Sequence, residues 1–407
     1  MERTILHCDL NNFYASCECM MNPELADKPV AVCGSVEERH GIVLAKNYHA
    51  KKYGVATAEP VWQAKAKCPA LVIVQPHFEL YVKYSSIVKA IYSDYTDRVE
   101  SFGLDECWLD ISGRKVTEAI GIDIANEIRE RVKRETGLTI SVGVSFNKVF
   151  AKLGSDLKKP DAVTAITRSG FKKQIWGLPA SALLGVGRET KKTLDRYCIN
   201  TIGKIAAMPR DFYETHMGKA GVQLWMYANG EDNSPVLMTD QYIPAKSFGH
   251  GTTTARDMKN CDEVWTTMLH LTQDIGHSLH INHQKATGVS VMIRDSKLSH
   301  KQWQCKLPIP TGSSVNIARA AFELFSGFYG WENPLRSVTV TAINLVSAST
   351  PVQMNLFDDT SEFERIERIE ECAWRVRDRF GKDSIIPATL LRNDIFKFHK
   401  INSFMHG

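Results

Sequence analysis

Three observations predict an α+β fold spread over several domains. At 407 residues the chain exceeds what one hydrophobic core organises. In residues 1–165 short β runs interleave with helical patterns. They lack the near-continuous apolar strands of a doubly wound parallel sheet. Further on, the pattern changes three times: a helical stretch over 166–235, a second α+β block over 246–350, and a tail over 351–407.

In the first block, 3-RTILHCD-9 alternates faces and ends on an acid. The run 139-TISVGVSF-146 sets Ile140, Val142, Val144 and Phe146 on one side. Between them 80-LYVKYSSIVKAIYSDY-95 and 118-EAIGIDIANEIRERVKRET-136 read as amphipathic helices, expected on one face of the sheet. In the helical block, 184-LGVGRETKKTL-194 sets Gly185 and Gly187 two apart. A helix carrying Arg188 and Lys191 follows at once, and a second Gly-containing turn comes at 199-INTIGKIAAMP-209. This is the pattern of a helix-hairpin-helix, whose glycines let backbone N–H groups approach phosphates; an ordinary helix-loop-helix shares it. Residues 236–245 read as a linker. Beyond it, 286-ATGVSVMIRDS-296 with 301-KQWQCKLP-308 predicts a hairpin and 336-RSVTVTAINLV-346 another strand. Val264, Met268, Leu271, Ile275 and Leu279 mark one face of an intervening helix. A further helix is expected at 362–380.

The content is 43% hydrophobic and 24% charged, ordinary for a globular protein, and no window approaches a transmembrane span. The N-terminus carries no apolar run of signal-peptide length, so the protein is expected in the cytoplasm, with no membrane partner. The net charge of +4 permits a polyanionic partner without demanding one. Ten cysteines stand without CxxC or zinc spacing and read as reduced, mostly buried thiols.

The stretch 101-SFGLDECWLDIS-112 carries the chemistry. Phe102, Leu104, Trp108, Leu109 and Ile111 read as a half-buried strand, yet Asp105, Glu106 and Asp110 lie among them. An unpaired carboxylate removed from water costs several kcal/mol, so distant Lys or Arg residues or a metal must meet these acids. Asp9 closes an apolar strand and completes a set of carboxylates from separate segments, the donor type that Mg²⁺ prefers. Adjacent residues on a regular strand face opposite ways, so Asp105 and Glu106 share a site only near a turn or bulge, which Gly103 permits. Asp110 reads as a strand-end residue bonded to backbone.

Four segments in order, 7-HCDLNNFYASCE-18, 42-IVLAKNYHAKKYGV-55, 102-FGLDECWLD-110 and 143-GVSFNKVFAKLGSDLKKP-160, resemble the palm and fingers of Y-family DNA polymerases, the translesion enzymes. The likeness continues through the helix-hairpin-helix and into 246-KSFGHGTTTARD-257, over about residues 3–350. It implies a right-hand polymerase: a ferredoxin-like palm with fingers in 1–165 (fingers about 20–78), a helical thumb in 166–235, and a DNA-binding little finger in 246–350. It implies template-directed synthesis past damage, without proofreading, by a monomer acting on primer-template DNA and dNTPs. Asp9, Asp105 and Glu106 would be the catalytic acids. Together with the Leu10 carbonyl they would hold two Mg²⁺ ions, for which Mn²⁺ can substitute. Phe13, Tyr14, Tyr48, Lys51 and Lys159 would bind the nucleotide, with Tyr14 as steric gate. Gly185, Gly187, Arg188 and Lys191 would meet DNA.

The sequence departs from the family pattern at Gly103, where serine is common, at Lys51, where arginine is usual, and at Ala45, where many relatives have threonine. Lysine lacks the bidentate fork of arginine. The segment 353-QMNLF-357 matches the QxxLF peptide that docks on the bacterial β sliding clamp, through Gln353, Leu356 and Phe357. Two other readings share features with this one: a nucleotide cyclase, which sets acids on a similar palm, and a non-catalytic clamp-bound scaffold.

Overall fold

The computed structural model describes residues 3–37, 39, 41–113, 116–241, 243–351, 361–381 and 384–392. It divides into two compact units, residues 1–34 with 41–242, and residues 35–40 with 243–407.

In the first unit β1 (Ile5–Leu10) leads into α1 (Phe13–Met21). A small lobe follows, with β2 (Val30–Cys33), β3 (Val43–Lys46), α2 (Tyr48–Lys52), α3 (Val61–Lys67) and β4 (Val72–Val74). Its three strands run in the order β3-β2-β4. Then come α4 (Phe78–Ser93), β5 (Val99–Ser101), β6 (Glu106–Asp110), α5 (Glu118–Thr136), β7 (Ile140–Ser145), α6 (Lys148–Leu157) and β8 (Val163–Ile166). The main sheet has the order β5-β6-β1-β7-β8, with β1 antiparallel to both neighbours.

Every residue of β1 is buried, because both faces of this central strand are covered. Leu6, Cys8 and Leu10 point into a core shared with Tyr81, Val88, Ile128 and Val132 of α4 and α5. Ile5 packs on the other side, with Trp108 and with Ala151 of α6. His7 and Asp9 alternate onto that second face. Helices on one face only is therefore corrected: α6 lies on the opposite one. Gly143 is the reason, since a Cβ there would meet the Ala151 carbonyl oxygen at 1.8 Å. Only a glycine strand position lets helix backbone approach that closely.

The stretch 102–111 holds the turn that Gly103 was expected to permit, and its strand begins only at Glu106. β5 ends at Ser101 and β6 begins at Glu106, with a turn between them closed by Phe102 N–H donating to the Glu106 carbonyl at 2.8 Å. Gly103 takes φ +93° in that turn, the conformation that glycine alone adopts readily. Asp110 accepts from the Ser112 N–H at 2.9 Å, as a strand-end acid should.

Helices α7 (Phe171–Ile175), α8 (Arg188–Arg196), α9 (Ile202–Ala207) and α10 (Arg210–Ala228) complete the unit, around Ile175, Leu194, Ile202, Ile205 and Tyr213. The following segment lies against the sheet edge: Leu237 N–H donates to Glu100 at 3.0 Å and Thr239 N–H to the Asp97 carbonyl at 2.9 Å.

The second unit has β9 (Ser247–Met258), α11 (Cys261–Ile281), β10 (Gln284–Asp295), β11 (His300–Thr311), α12 (Ser314–Phe328) and β12 (Leu335–Ser347). Its sheet runs β11-β10-β12-β9, and the five helix positions read from the sequence, Val264 to Leu279, are all buried in its core. Helix α13 (Ser361–Phe380) packs here too. Glu370 accepts from the Ser314 and Val315 N–H groups at 3.1 Å each, capping α12. The ten cysteines are free thiols, but Cys198, Cys261 and Cys372 are exposed rather than buried. No helix among the described residues is long and apolar enough to cross a membrane.

Candidate active site

Asp9 and Glu106 are direct partners across β1 and β6, so both carboxylates leave the sheet on the same face. Asp105 precedes β6 in the hairpin turn, and its carbonyl accepts the Leu10 N–H at 3.0 Å. Like charges placed directly opposite destabilise a sheet. Here α6 and the turn after it supply the counter-charge. Lys152 Nζ bonds Glu106, and Lys159 Nζ reaches Asp9 at 2.7 Å and Asp156 at 2.9 Å. His7 adds its Nε2 to Glu106 at 3.2 Å and sets Nδ1 on Ser155 Oγ at 2.8 Å.

The environments pull the acids apart. Burial pushes Asp9 up to about 6 against the pull of Lys159. Burial also pushes Asp105 upward, with Glu106 adding to it. Glu106 feels burial as well, but the hydrogen bonds from His7 and Lys152 outweigh it and hold it at about 2.

Among the described residues no three His, Cys, Asp or Glu side chains already converge as a metal cage. The donor set nonetheless fits a hard divalent cation: three carboxylates and main-chain oxygens, with two lysine ammonium groups lying where positive charge is needed.

Asn47 builds the next part. Its side chain accepts the Ala50 N–H at 2.9 Å, starting α2, which carries Tyr48 and Lys51. Lys51 Nζ lies 5.5 Å from the Tyr48 ring centroid. Burial raises the Tyr48 phenol, and the charges of Lys159 and Asp9 both act on it, so Tyr48 belongs with that pair. Tyr14 is half-buried and feels the charge of Asp105. Phe13, by contrast, is 3% exposed and its ring belongs to the core.

Away from the acids, Gly185 takes φ +92° and Gly187 precedes α8, whose first turn has no side-chain cap. Arg188 is exposed, while Lys191 pairs with Asp195 at 2.5 Å. Gln353, Leu356 and Phe357 lie outside the described residues.

Sequence reasoning missed Lys152, His7 and Tyr81, the ring behind Tyr14. For Lys152 a signal existed: it is the one cation inside 149-VFAKLGSDL-157, a run that otherwise reads as a mostly apolar helix.

A sheet carrying paired acids met by lysines, a helical segment and a second α+β unit fit a nucleotidyl-transfer class of protein, and the likeness to known proteins agrees. Residues 8–156 match the impB/mucB/samB family and 245–356 its C-terminal domain. A DNA polymerase IV of Acetivibrio thermocellus is 51% identical over 97% of this chain and 98% of its own. DNA polymerase IV 2 of Bacillus subtilis is 34% identical over 96% and 95%. A solved Y-family DNA polymerase chimera superposes with a TM-score of 0.74 at 21% identity, covering 84% of this chain and 99% of that one. The chain belongs to the DNA polymerase IV group of the Y-family. It is a DNA-directed DNA polymerase of the translesion kind, with the multidomain α+β fold and C-terminal little-finger domain of that family.

Proposed function

We propose that this polymerase works by two-metal nucleotidyl transfer at Asp9, Asp105 and Glu106, with the Leu10 carbonyl as a further donor. The observation that carries the reading is the Asp9–Glu106 cross-strand pair with Asp105 beside it. Two Mg²⁺ ions, or Mn²⁺, would activate the primer 3′-OH and steady the charge on the leaving pyrophosphate. The protein's own residues orient the reactants. Lys159 and Lys51 hold the triphosphate as point charges, with Tyr48 beside them. Phe13, its ring in the core, serves through its main chain. Tyr14 stands under the sugar, where an aromatic wall leaves no room for a 2′-hydroxyl.

The main sheet and small lobe, within 1–165, are the palm and fingers, the latter about 20–78. Residues 166–235 form the thumb, 236–245 the linker and 246–350 the little finger. Gly185, Gly187, Arg188 and Lys191 offer N–H groups and charge to the phosphates of primer-template DNA. Gln353, Leu356 and Phe357 dock the enzyme, a cytoplasmic and nucleoid-associated monomer without proofreading, on the bacterial β sliding clamp. Primer extension tests the assignment. Asp105→Asn and Glu106→Gln should abolish it while DNA binding persists; activity beyond a few percent would refute the metal ligands.

A second reading, a clamp-bound scaffold that has lost catalysis, is disfavoured by the intact carboxylates.

A further inference from the structure

The Tyr14 ring lies flat on the Tyr81 ring, with centroids 4.2 Å apart and planes 8° from parallel. Phe78 stands edge-on to both, at 6.1 Å from Tyr14 and 5.8 Å from Tyr81. Tyr81 is fully buried and is fixed at its far end as well. Its hydroxyl donates to Glu18 Oε1 and accepts the His77 backbone N–H at 3.1 Å. Glu18 is only 4% exposed, and His77 Nδ1 meets its two oxygens at 2.9 and 3.0 Å.

Glu18 and Tyr14 are four residues apart on α1, hence on one face of the helix. A closed circuit results. Tyr14 stacks on Tyr81, Tyr81 hydrogen-bonds Glu18, and Glu18 returns to Tyr14 along a single helical turn. Burying a carboxylate is costly, and an apolar side chain of similar size would fill the same core as well or better. What the acid adds is a directional anchor on a ring that packing alone would let slide.

We propose that Glu18 and the Tyr81 hydroxyl are positioning residues for sugar selection: they hold the Tyr14 ring at the depth that separates deoxyribose from ribose. The proposal rests on the reading of Tyr14 as the steric gate. Exclusion by overlap acts over a few tenths of an ångström, and a functional group must be held within about 0.5 Å to act. A ring free to retreat against Tyr81 would still pass dNTPs and would begin to pass rNTPs.

The test is the ratio of kcat/KM for a dNTP to that for the matching rNTP, measured with melting temperature. The variants are Tyr14→Ala, Tyr81→Phe, Glu18→Leu, Glu18→Gln and the double variant Tyr14→Ala/Tyr81→Phe. Tyr14→Ala should lower the ratio by about 100-fold or more, and Tyr81→Phe and Glu18→Leu by about 3- to 30-fold, the scale of a sub-ångström misplacement. The fall should come from faster rNTP use rather than slower dNTP use. Glu18→Gln, which keeps an oxygen acceptor, should restore most of the ratio. Tyr81→Phe should add nothing once Tyr14 is alanine. If Tyr14→Ala relaxes selection while folded Tyr81→Phe keeps the wild-type ratio, the positioning role is overturned and the gate stands. If Tyr14→Ala leaves the ratio unchanged, the gate reading fails first and takes the proposal with it. Should Glu18→Leu not fold, Tyr81→Phe, a single hydroxyl deletion, decides alone.

Discussion

Asp9 and Glu106 face one another across two strands, and Lys159 and Lys152 keep that pairing tolerable when no other cation is near. Removing either lysine should therefore expose the repulsion. Lys152→Met should lower stability by about 1–3 kcal/mol, the scale of a lost hydrogen bond to a charged group. Thermal melts with and without Mg²⁺ check this: the loss should be larger in metal-free buffer, and an equal loss in both would argue against lysine and metal sharing a role. Under the proposed mechanism Lys159 has a second task on the triphosphate. Lys159→Ala and Lys51→Ala should raise KM for dNTP and leave the DNA dissociation constant alone, as single-nucleotide kinetics beside DNA titrations would report. The acids were legible in the sequence because carboxylates inside an apolar run need an explanation. Their partners were less so. His7 reads as an ordinary strand residue, and only the β1–β6 register shows that it reaches Glu106.

At the scale of elements, one strand position sets the site. Gly143 lets α6 settle against β7, and α6 brings Lys152 to Glu106. Gly143→Ala should push the helix away, costing about 1–3 kcal/mol or more as an overpacked contact. Lower melting temperature together with slower extension is the expected result; unchanged extension in a folded variant would separate α6 from catalysis. Helices α5 and α11 were legible from hydrophobic period alone; the structure adds that Thr117 and Asn260 accept first-turn N–H groups of their helices. The side of the sheet that α6 takes was not legible. His7 and Asp9 look solvent-facing on a strand, and nothing local says that a helix covers them.

In the second unit Glu370 is pushed upward by burial, with its hydrogen bonds to the start of α12 offsetting part of that. A carboxyl whose folded pKa is raised binds its proton more tightly in the native state. Its contribution is fully present below the usual glutamate value and is lost as pH rises through the raised one. Denaturant titrations across that window should show Glu370→Gln with a flatter pH dependence than the parent. Glu370→Ala should lose about 1–3 kcal/mol by leaving two N–H groups without a partner.

For the molecule as a whole, the change of pattern near residue 245 was legible in the sequence, and the two matched regions, 8–156 and 245–356, lie on either side of it. The proposed clamp docking would belong to the whole chain rather than to its active site. Replacing Leu356 and Phe357 with Ala should leave synthesis by the isolated enzyme unchanged and remove stimulation by the sliding clamp, seen as shorter products in processivity assays. Asp9, Asp105 and Glu106 are proposed to catalyse DNA-templated nucleotide addition. Primer extension on undamaged and abasic templates, with and without Mg²⁺, tests it most directly when wild type and Glu106→Gln are compared at matched DNA occupancy. Wild type should extend both primers only with the metal, and Glu106→Gln should bind DNA as tightly yet extend neither. Extension by Glu106→Gln at a rate near wild type would contradict the account.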